Sequence, residues 1–548
     1  MSFIKQDVLH YDTDVLVIGG GSAGLRAALA ARAKGARVLV VNRGGSHSGG
    51  STAYLDKLIE FTGLGVSVGS SESQLYYEEL RSYGKEINSD QLLKVFSADD
   101  EEELKFLESI GVQFQREGND YKWIKLPSHT RPRVLRGMED FGTEILKRMV
   151  KACQDAGVEF LTHTQVYRVV KDSQGRPRVA LAIRKEAEGQ AIQIRFSSIV
   201  LATGGFGNLF SYNTNPQGYG SGMAMALDLG ARLTNLEFVQ ILPLLVKPIR
   251  GFFIISSLLS QGKVSNTAGE LFNPSAPISS ANDTVLHAEI VFELCRWIEK
   301  QQEQGQVTAE NGVYWNGIEL KDQMERLIPR SLEVLKARGL DLTREPAVIS
   351  VGYHQALGGI AIGTSGQTDI PGLFACGECA GGFQGAERMM GTGVMDALVF
   401  GRRAGRAAAE AIDGSGPDQG LELEQGTKSG ALPIAYEDAT RQLQNAMDKI
   451  LVTKNSTKLQ AVKREIDQLK GIVDQVPLES VPLREKVRLA ELKDALLIAS
   501  AYITACEARK ESRGSFLRSD YPQEDPEFAA ASYIWKEGKD QFQVSFDQ

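Results

Sequence analysis

The sequence predicts an α/β fold that opens on a parallel sheet, is interrupted by an inserted domain and ends in helices. Three observations carry this. Asp14–Gly19 (DVLVIG) is a short apolar run ending in glycines, followed by an Ala-rich stretch and a second apolar run, which is the strand–helix–strand pattern of a parallel sheet. Between about 238 and 348 the strand–glycine–helix rhythm is absent. From Tyr436 onward, apolar residues recur at helical spacing over long stretches.

Taken in order, DVLVIG predicts the first buried strand. Ser22 to Lys34 predicts a helix that stops at Gly35, and Arg37–Val41 predicts a second strand. Phe196–Ala202 (FSSIVLA) reads as another buried strand running into Thr203, Gly204 and Gly205. Gly372–Ala375 is a further short strand, and Asp396–Ile412 is an Ala- and Arg-rich helix. Asp413–Leu432, rich in Gly, Ser and charge, reads as a linker. Helices are then expected over Tyr436–Val452, Thr457–Val473 and Leu483–Arg509. The tail from Glu511, holding Pro522 and Pro526, reads as irregular. The implied division is 1–237, 238–348, 349–413 and 433–548.

Bulk properties narrow the function. At 548 residues the chain exceeds one compact core. Its net charge of -8 argues against nucleic acid as a partner, because phosphate contacts need a basic face. Five scattered cysteines make no disulfide framework and fit a reducing compartment. The start, MSFIKQDVLHYDTD, lacks the apolar core of a signal peptide. The runs Phe238–Val246 and Phe252–Leu259 are too short to span a bilayer. A cytoplasmic chain without a transmembrane segment is the expectation.

The chemistry begins at GGGSAG (19–24), which fits G-x-G-x-x-G between a strand and a helix. Gly19 permits the tight turn, Gly21 lets the backbone approach a pyrophosphate, and Gly24 lets helix and strand pack closely. The helix start at Ser22 and Ala23 then offers free N–H donors to phosphate. Where the second strand should end in an acidic residue that binds a ribose hydroxyl, this chain has Asn42 and Arg43. Asn42 can still bond a hydroxyl. Arg43 raises the alternative of a 2′-phosphate, hence NADP.

Further motifs run in a set order over nearly the whole length. They are Ser51-Thr52, LATGG (201–205), TNPQGYGSGMAMALDLGA (214–231), HQALGGI (354–360), GLFACGECA (372–380), GAERMMGTGVMDALVFGRRAG (385–405) and ARKESRGSFLRSDYP (508–522). With GGGSAG, they resemble the flavoprotein family of succinate dehydrogenase and fumarate reductase, which also holds L-aspartate oxidase and the adenylylsulfate reductase alpha subunit. The resemblance implies a Rossmann-like FAD-binding domain built from two segments, an inserted α+β capping domain and a C-terminal helical domain. It implies FAD contacts at Ser22, Asn42, Arg43, Ser51, Thr52, Val166, Ala202, Gly204, Glu378, Arg388, Gly393 and Val394, with Thr203 in the same LATGG turn. Membrane-complex members attach FAD to a His; Thr52 stands at that place and His47 lies about five residues early, so non-covalent FAD is expected.

The resemblance also implies two anchors for an anionic substrate, His354 and Arg388, the expected catalytic pair. An Arg can hold a carboxylate bidentately, and a His adds a hydrogen bond and, if protonated, charge. The rest of the family's set departs. FVQFHPT becomes FVQILPL, with Leu242 in place of the His. RGEGG becomes SQGKV, with Gln261 and Lys263. The proton-donating Arg of RD-x-V-x-R aligns with Asn282. Ordinary fumarate reduction and succinate oxidation are therefore not expected. Two readings remain: an FAD-dependent oxidoreductase acting on another small anionic substrate, with Lys247, Arg250 or His287 as new contacts, or an electron-transfer flavoprotein subunit with an iron–sulfur or ferredoxin-like partner.

Other candidates have plainer readings. Cys376 and Cys379 form a C-x-x-C pair, read as buried thiols beside the flavin in preference to a redox dithiol. No metal site is expected. Ser128-His129-Thr130-Arg131 is read as structural in preference to site lining. The charges of the helices at 436–509 are solvated faces, and Arg509, Glu511, Arg513 and Arg518 are expected to form ion pairs tying the tail to the FAD domain.

Overall fold

The computed structural model describes residues 8–45, 50–54, 60–62, 71–126, 128–137, 141–185, 189–249, 251–254, 258, 261–275, 284–412, 433–538 and 541–547. His47, Arg250, Asn282, Met138 and the expected linker 413–432 lie outside the described residues, as does the side chain of His287.

At the centre is a five-stranded parallel sheet. Its strand order is Leu373–Ala375, Ser198–Leu201, Val15–Ile18, Val38–Val41 and Glu159–Leu161. Val15–Ile18 and Val38–Val41 are buried at every position, which is why they read as unbroken apolar runs. The helix Ser22–Ala33 lies against the helix Thr392–Glu410 at a distance only glycine permits. A Cβ on Gly405 would stand 2.0 Å from the Ala27 carbonyl oxygen, and one on Gly401 2.6 Å from that of Ala23. This second helix begins four residues before the expected Asp396, because Gly391 at φ +87° supplies the left-handed turn that starts it.

The stretch between the two segments that supply the parallel sheet is α+β. Strands Val239–Lys247, Ala347–Ala356, Val313–Asn316 and Lys263–Ser265 form an antiparallel sheet in that order. Helices Thr284–Glu303, Lys321–Leu327 and Pro329–Ala337 accompany it. The apolar run at 238–246 is thus one of this sheet's two long strands. The C-terminal helices are Tyr436–Asp448, Ser456–Asp474 and Leu483–Ala508. The first ends four residues before the expected Val452. No helix among the described residues is long and apolar enough to cross a membrane.

The expectation of an irregular tail is corrected. Ala531–Glu537 and Gln541–Asp547 form an antiparallel hairpin, and the first of these strands pairs with Leu233–Thr234. ASYIW alternates half-buried and buried positions, a period-two signal that the prolines before it obscure. Between helix and hairpin, a buried ion cluster holds the tail. Arg509 pairs with Glu237 and Glu511 at 2.7 Å each, and Arg513 pairs with Glu511 at 2.8 Å. Arg518 pairs with Asp520 at 2.7 Å. The tail also reaches the site: Ser515 donates to the Ala386 carbonyl through its N–H (3.1 Å) and its hydroxyl (3.0 Å).

Candidate active site

One cavity of about 900 Å³ lies at the C-terminal ends of the parallel strands, between them and the inserted lobe, where this kind of sheet binds its ligands. It is walled by both halves of the interrupted sheet-bearing region and by the strand that carries His354.

Glycine builds one end. Ile18 finishes the first strand and Gly19 turns at φ +118°, where a Cβ would stand 2.1 Å from the Ala202 carbonyl oxygen. A Cβ on Gly24 would stand 1.9 Å from the Gly19 carbonyl oxygen. Gly24 accordingly does not line the cavity; it sets how closely helix and strand meet. Gly21 has room for a Cβ, whose nearest neighbour would be Thr52 Oγ1 at 3.7 Å, so its missing side chain leaves space for a ligand. Gly21 starts the helix without a side-chain cap. Gly391 does the same for the helix Thr392–Glu410, and both helix N-termini face the cavity. Their first-turn N–H groups and positive dipole ends suit an anion.

Gly19, Gly21, Ser22, Ala23, Asn42, Arg43, Ser51, Thr52, Val166, Ala202, Thr203, Gly204, Glu378, Arg388, Gly393 and Val394 all line this cavity, and so does His354. Of the residues singled out as cofactor contacts, only Gly24 stands back. Thr52 Oγ1 meets the Ser22 N–H at 3.3 Å and its hydroxyl at 3.1 Å. Glu378 is half-buried and accepts from the Tyr353 hydroxyl (3.2 Å) and the Ala356 N–H (3.1 Å). Desolvation raises its pKa.

Arg43 is committed elsewhere. It pairs at 3.0 Å with Glu491 of the C-terminal helix, whose side chain is 5% exposed, and its guanidinium lies over the Tyr219 ring. A cation already matched by a buried carboxylate is poorly available to a 2′-phosphate, so the NADP alternative loses the residue that raised it. Glu491 is far from every glycine motif in sequence.

The second end is built by side chains. Arg388 is half-buried; its Nη1 donates to Gln240 Oε1 at 3.1 Å, and its buried Nε has no partner among the described residues. Gln240 donates in turn to Glu387 Oε1 at 3.3 Å, while Glu387 Oε2 has no partner among them. Burial pushes the Glu387 carboxyl up to about 7. His354, at the end of the strand Ala347–Ala356, is pushed down to about 3 by burial, with a smaller contribution from Arg388's charge. The ring is therefore neutral at neutral pH, and a charged His354 anchor is not what the site holds. The Thr214 hydroxyl reaches both His354 Nδ1 and the His354 carbonyl oxygen, each at 3.0 Å. Given to Nδ1, its proton leaves Nε2 as the N–H donor; given to the carbonyl, it leaves Nδ1 as the donor. Gln240 and Thr214 stand inside the runs FVQILPL and TNPQGYG but were not singled out there; Gln240 stands two residues before Leu242 on the same strand, and both line the cavity.

The remaining candidates sort readily. Ser128 and His129 hold the loop before Gly391: Ser128 Oγ accepts from the Met390 N–H (2.9 Å), and His129 Nε2 meets the Met390 carbonyl (2.8 Å). Neither lines the cavity. Lys247 is buried away from it, its ammonium donating to the carbonyls of Glu310 (2.9 Å) and Asn311 (3.3 Å); it is no new substrate contact. Lys263 and Gln261 also lie off the cavity, on Glu319 and Gln323. All five cysteines are free and buried. Cys376 is held well above the ordinary thiol range and Cys379 is pushed up to about 11, both chiefly by burial, so this pair carries little thiolate at neutral pH. Among the described residues no cluster of His, Cys, Asp and Glu is placed to hold a metal ion.

Comparison with known proteins agrees with this geometry. Residues 14–394 match the FAD binding domain family, and residues 440–548 match the fumarate reductase flavoprotein C-terminal family. L-aspartate oxidase of Caulobacter vibrioides is 27% identical over 93% of this chain and 94% of its own. One subunit of the CoM/CoB fumarate reductase of Methanothermobacter marburgensis is 27% identical over 97% of this chain and 98% of its own. In three dimensions the chain is similar to quinol fumarate reductase of E. coli, with TM-score 0.85 and 22% identity, covering 98% of this chain and 97% of that one. It is also similar to adenylylsulfate reductase of Archaeoglobus fulgidus, with TM-score 0.71 and 18% identity, covering 100% and 98%. The chain is accordingly an FAD-binding flavoprotein.

Proposed function

Because this chain belongs to the flavoprotein family of succinate dehydrogenase and fumarate reductase, we propose that it oxidises or reduces a small anionic substrate held beside non-covalent FAD by Arg388 and His354. The observation that carries this is Arg388: a half-buried guanidinium on the cavity wall whose Nε is itself buried and unpartnered among the described residues. A buried donor left in that state is costly unless something binds it, and an incoming carboxylate would supply both charge and acceptor.

FAD, when bound, supplies the acceptor or donor of an electron pair. The chain's own residues do the rest. Arg388 fixes the anion, with Gln240 bonded to its Nη1 and so setting the plane of its fork. Neutral His354 offers a donor N–H in the tautomer that Thr214 selects; an anion beside it raises its proton affinity, so the ring can also take or return a proton. Leu242, at the place of the family's His, offers no polar group to a second carboxylate. Ordinary fumarate reduction and succinate oxidation therefore fit this site poorly.

Thr52 at the family's attachment position supports non-covalent FAD, so acid or heat is expected to release free flavin; flavin that stays with the precipitated protein defeats this point. A screen of flavin reduction and reoxidation against small carboxylates and sulfur oxyanions tests the function, and turnover on fumarate or succinate at roughly 1–1000 per second overturns the exclusion. A second reading, an electron-transfer component with an iron–sulfur partner, draws support from the similar fumarate reductase chain, whose name makes it one part of a larger complex. Copurification with a cysteine-rich protein would favour it.

A further inference from the structure

The substrate end has an apolar wall opposite its anchors. Leu242, Phe252, Phe253, Val291, Phe292 and Ile328 line the cavity there, and the Phe253 ring lies 5.8 Å from that of His354. Phe253 is 39% exposed, unusual for a large aromatic side chain that faces a cavity. The cation that accompanies this wall among the described lining residues is Arg338, an exposed side chain whose guanidinium lies over the Phe252 ring at 5.2 Å.

We infer that the anion bound by Arg388 and His354 is a monocarboxylate with an aromatic or similarly bulky apolar body, which packs on Phe252, Phe253 and Phe292. This rests on the anchor reading above and narrows it. A short dicarboxylate carries charge at both ends, and its second carboxylate would lose water against Leu242 and the phenyl rings, where the described residues offer only the exposed Arg338 at the rim. An apolar body instead removes these rings from water and gains ring–ring contact. Leu242 is central, since it puts a hydrocarbon where the family has an imidazole. Arg338 over Phe252 lends the rim a cation that steers an anion inward without neutralising a buried carboxylate.

The test titrates the FAD-loaded protein with cinnamate, phenylacetate, fumarate and succinate, following the flavin absorption spectrum. Cinnamate or phenylacetate is expected to bind at least about tenfold more tightly than fumarate or succinate. Phe253→Ala, at an exposed position that does not threaten the fold, should weaken the aromatic ligands about tenfold and leave fumarate unchanged. Leu242→His should shift the preference toward fumarate. Equal or tighter binding of fumarate, still weakened by Arg388→Lys, overturns the apolar inference and leaves the anchors standing. Binding of every ligand that Arg388→Lys leaves unchanged overturns the anchors, and the inference with them. So does a flavin spectrum that none of the four ligands perturbs.

Discussion

The two ends of the cavity are made of different material. The end proposed for FAD is backbone: glycine turns, strand ends and two uncapped helix N-termini, with side chains as small as Ser22 and Thr52. The end proposed for substrate is side chain: Arg388, His354 and Gln240 on one wall, with Leu242 and the phenyl rings on the other. A backbone-built site tolerates little change in sequence, because each glycine answers a fixed steric demand. A side-chain-built site can change its ligand by exchanging single residues, as Leu242 illustrates, while the scaffold stays.

The sharpest break in that comparison comes from two neighbouring glycines. Gly24→Val should abolish both flavin binding and stable folding, because even a Cβ would sit 1.9 Å from the Gly19 carbonyl oxygen and backbone cannot yield as a side chain can. Gly21→Ala should keep the fold, since the nearest atom to its Cβ is 3.7 Å away, yet lose most of the flavin. Flavin content and thermal melting of both variants decide this. A Gly21→Ala protein with full FAD would mean that the cofactor does not approach this backbone closely.

The ion cluster that anchors the tail comes next. Arg509→Ala leaves the carboxylates of Glu237 and Glu511 buried without their shared partner, which should cost about 3–5 kcal/mol in denaturant unfolding. Glu237 lies just ahead of the strand Val239–Lys247 that forms the substrate wall, and Ser515 grips Ala386 just before Glu387 and Arg388. Loss of the cluster should therefore loosen the substrate end before the FAD end: substrate affinity should fall at temperatures where flavin is still bound. If flavin is released first, the tail supports the wrong end.

At the substrate end itself, Arg388→Lys should retain FAD but weaken the identified anion at least about tenfold, because an ammonium cannot reproduce the guanidinium fork. His354→Ala should lower turnover with flavin content unchanged. If both variants keep full FAD and wild-type turnover, the anchors are relics of the fold.

The difference in material also governs what the sequence disclosed. Gly19, Gly21 and Gly24 were legible because a tight turn and a close approach admit one residue type at fixed spacing. The buried strands VLVI and VLVV were legible because a doubly covered sheet demands unbroken apolar runs. His354 and Arg388 were reached only through resemblance; no spacing rule points to either. Glu491 and Arg338 meet the cavity or its lining through tertiary packing across long stretches of chain, and no local pattern marks such encounters; Thr214 heads the TNPQGYG run, but nothing in that run announces its meeting with His354. The hairpin at Ala531–Asp547 was hidden differently: its period-two alternation was present, but Pro522 and Pro526 ahead of it suggested coil.

The finest contrast concerns Glu387, next to Arg388 and facing the same cavity. Its folded pKa is raised to about 7, chiefly by burial, against an ordinary value of about 4.3 for an exposed glutamate. The folded protein thus binds more protons than the unfolded chain between about pH 4.3 and 7. Glu387's contribution is fully present below that window and is lost as pH rises through it. His354 and His129, pushed down to about 3 and about 4, act in the opposite sense: their folded forms bind fewer protons, so stability rises with pH until about 6.5. The two trends overlap, and wild-type melting alone will not separate them. Glu387→Gln should separate them, because the histidines contribute equally to both proteins. Relative to wild type, the variant should gain of order 1 kcal/mol between pH 5 and 8, with both proteins saturated in FAD. Asp396 and Asp494, raised to about 7 and about 8 by burial, remain in the variant, so its stability should still decline with pH, only less steeply. Parallel stability curves for the two proteins would mean that the Glu387 carboxylate is satisfied when ionised, and that the charge of Arg388 is already balanced without a ligand.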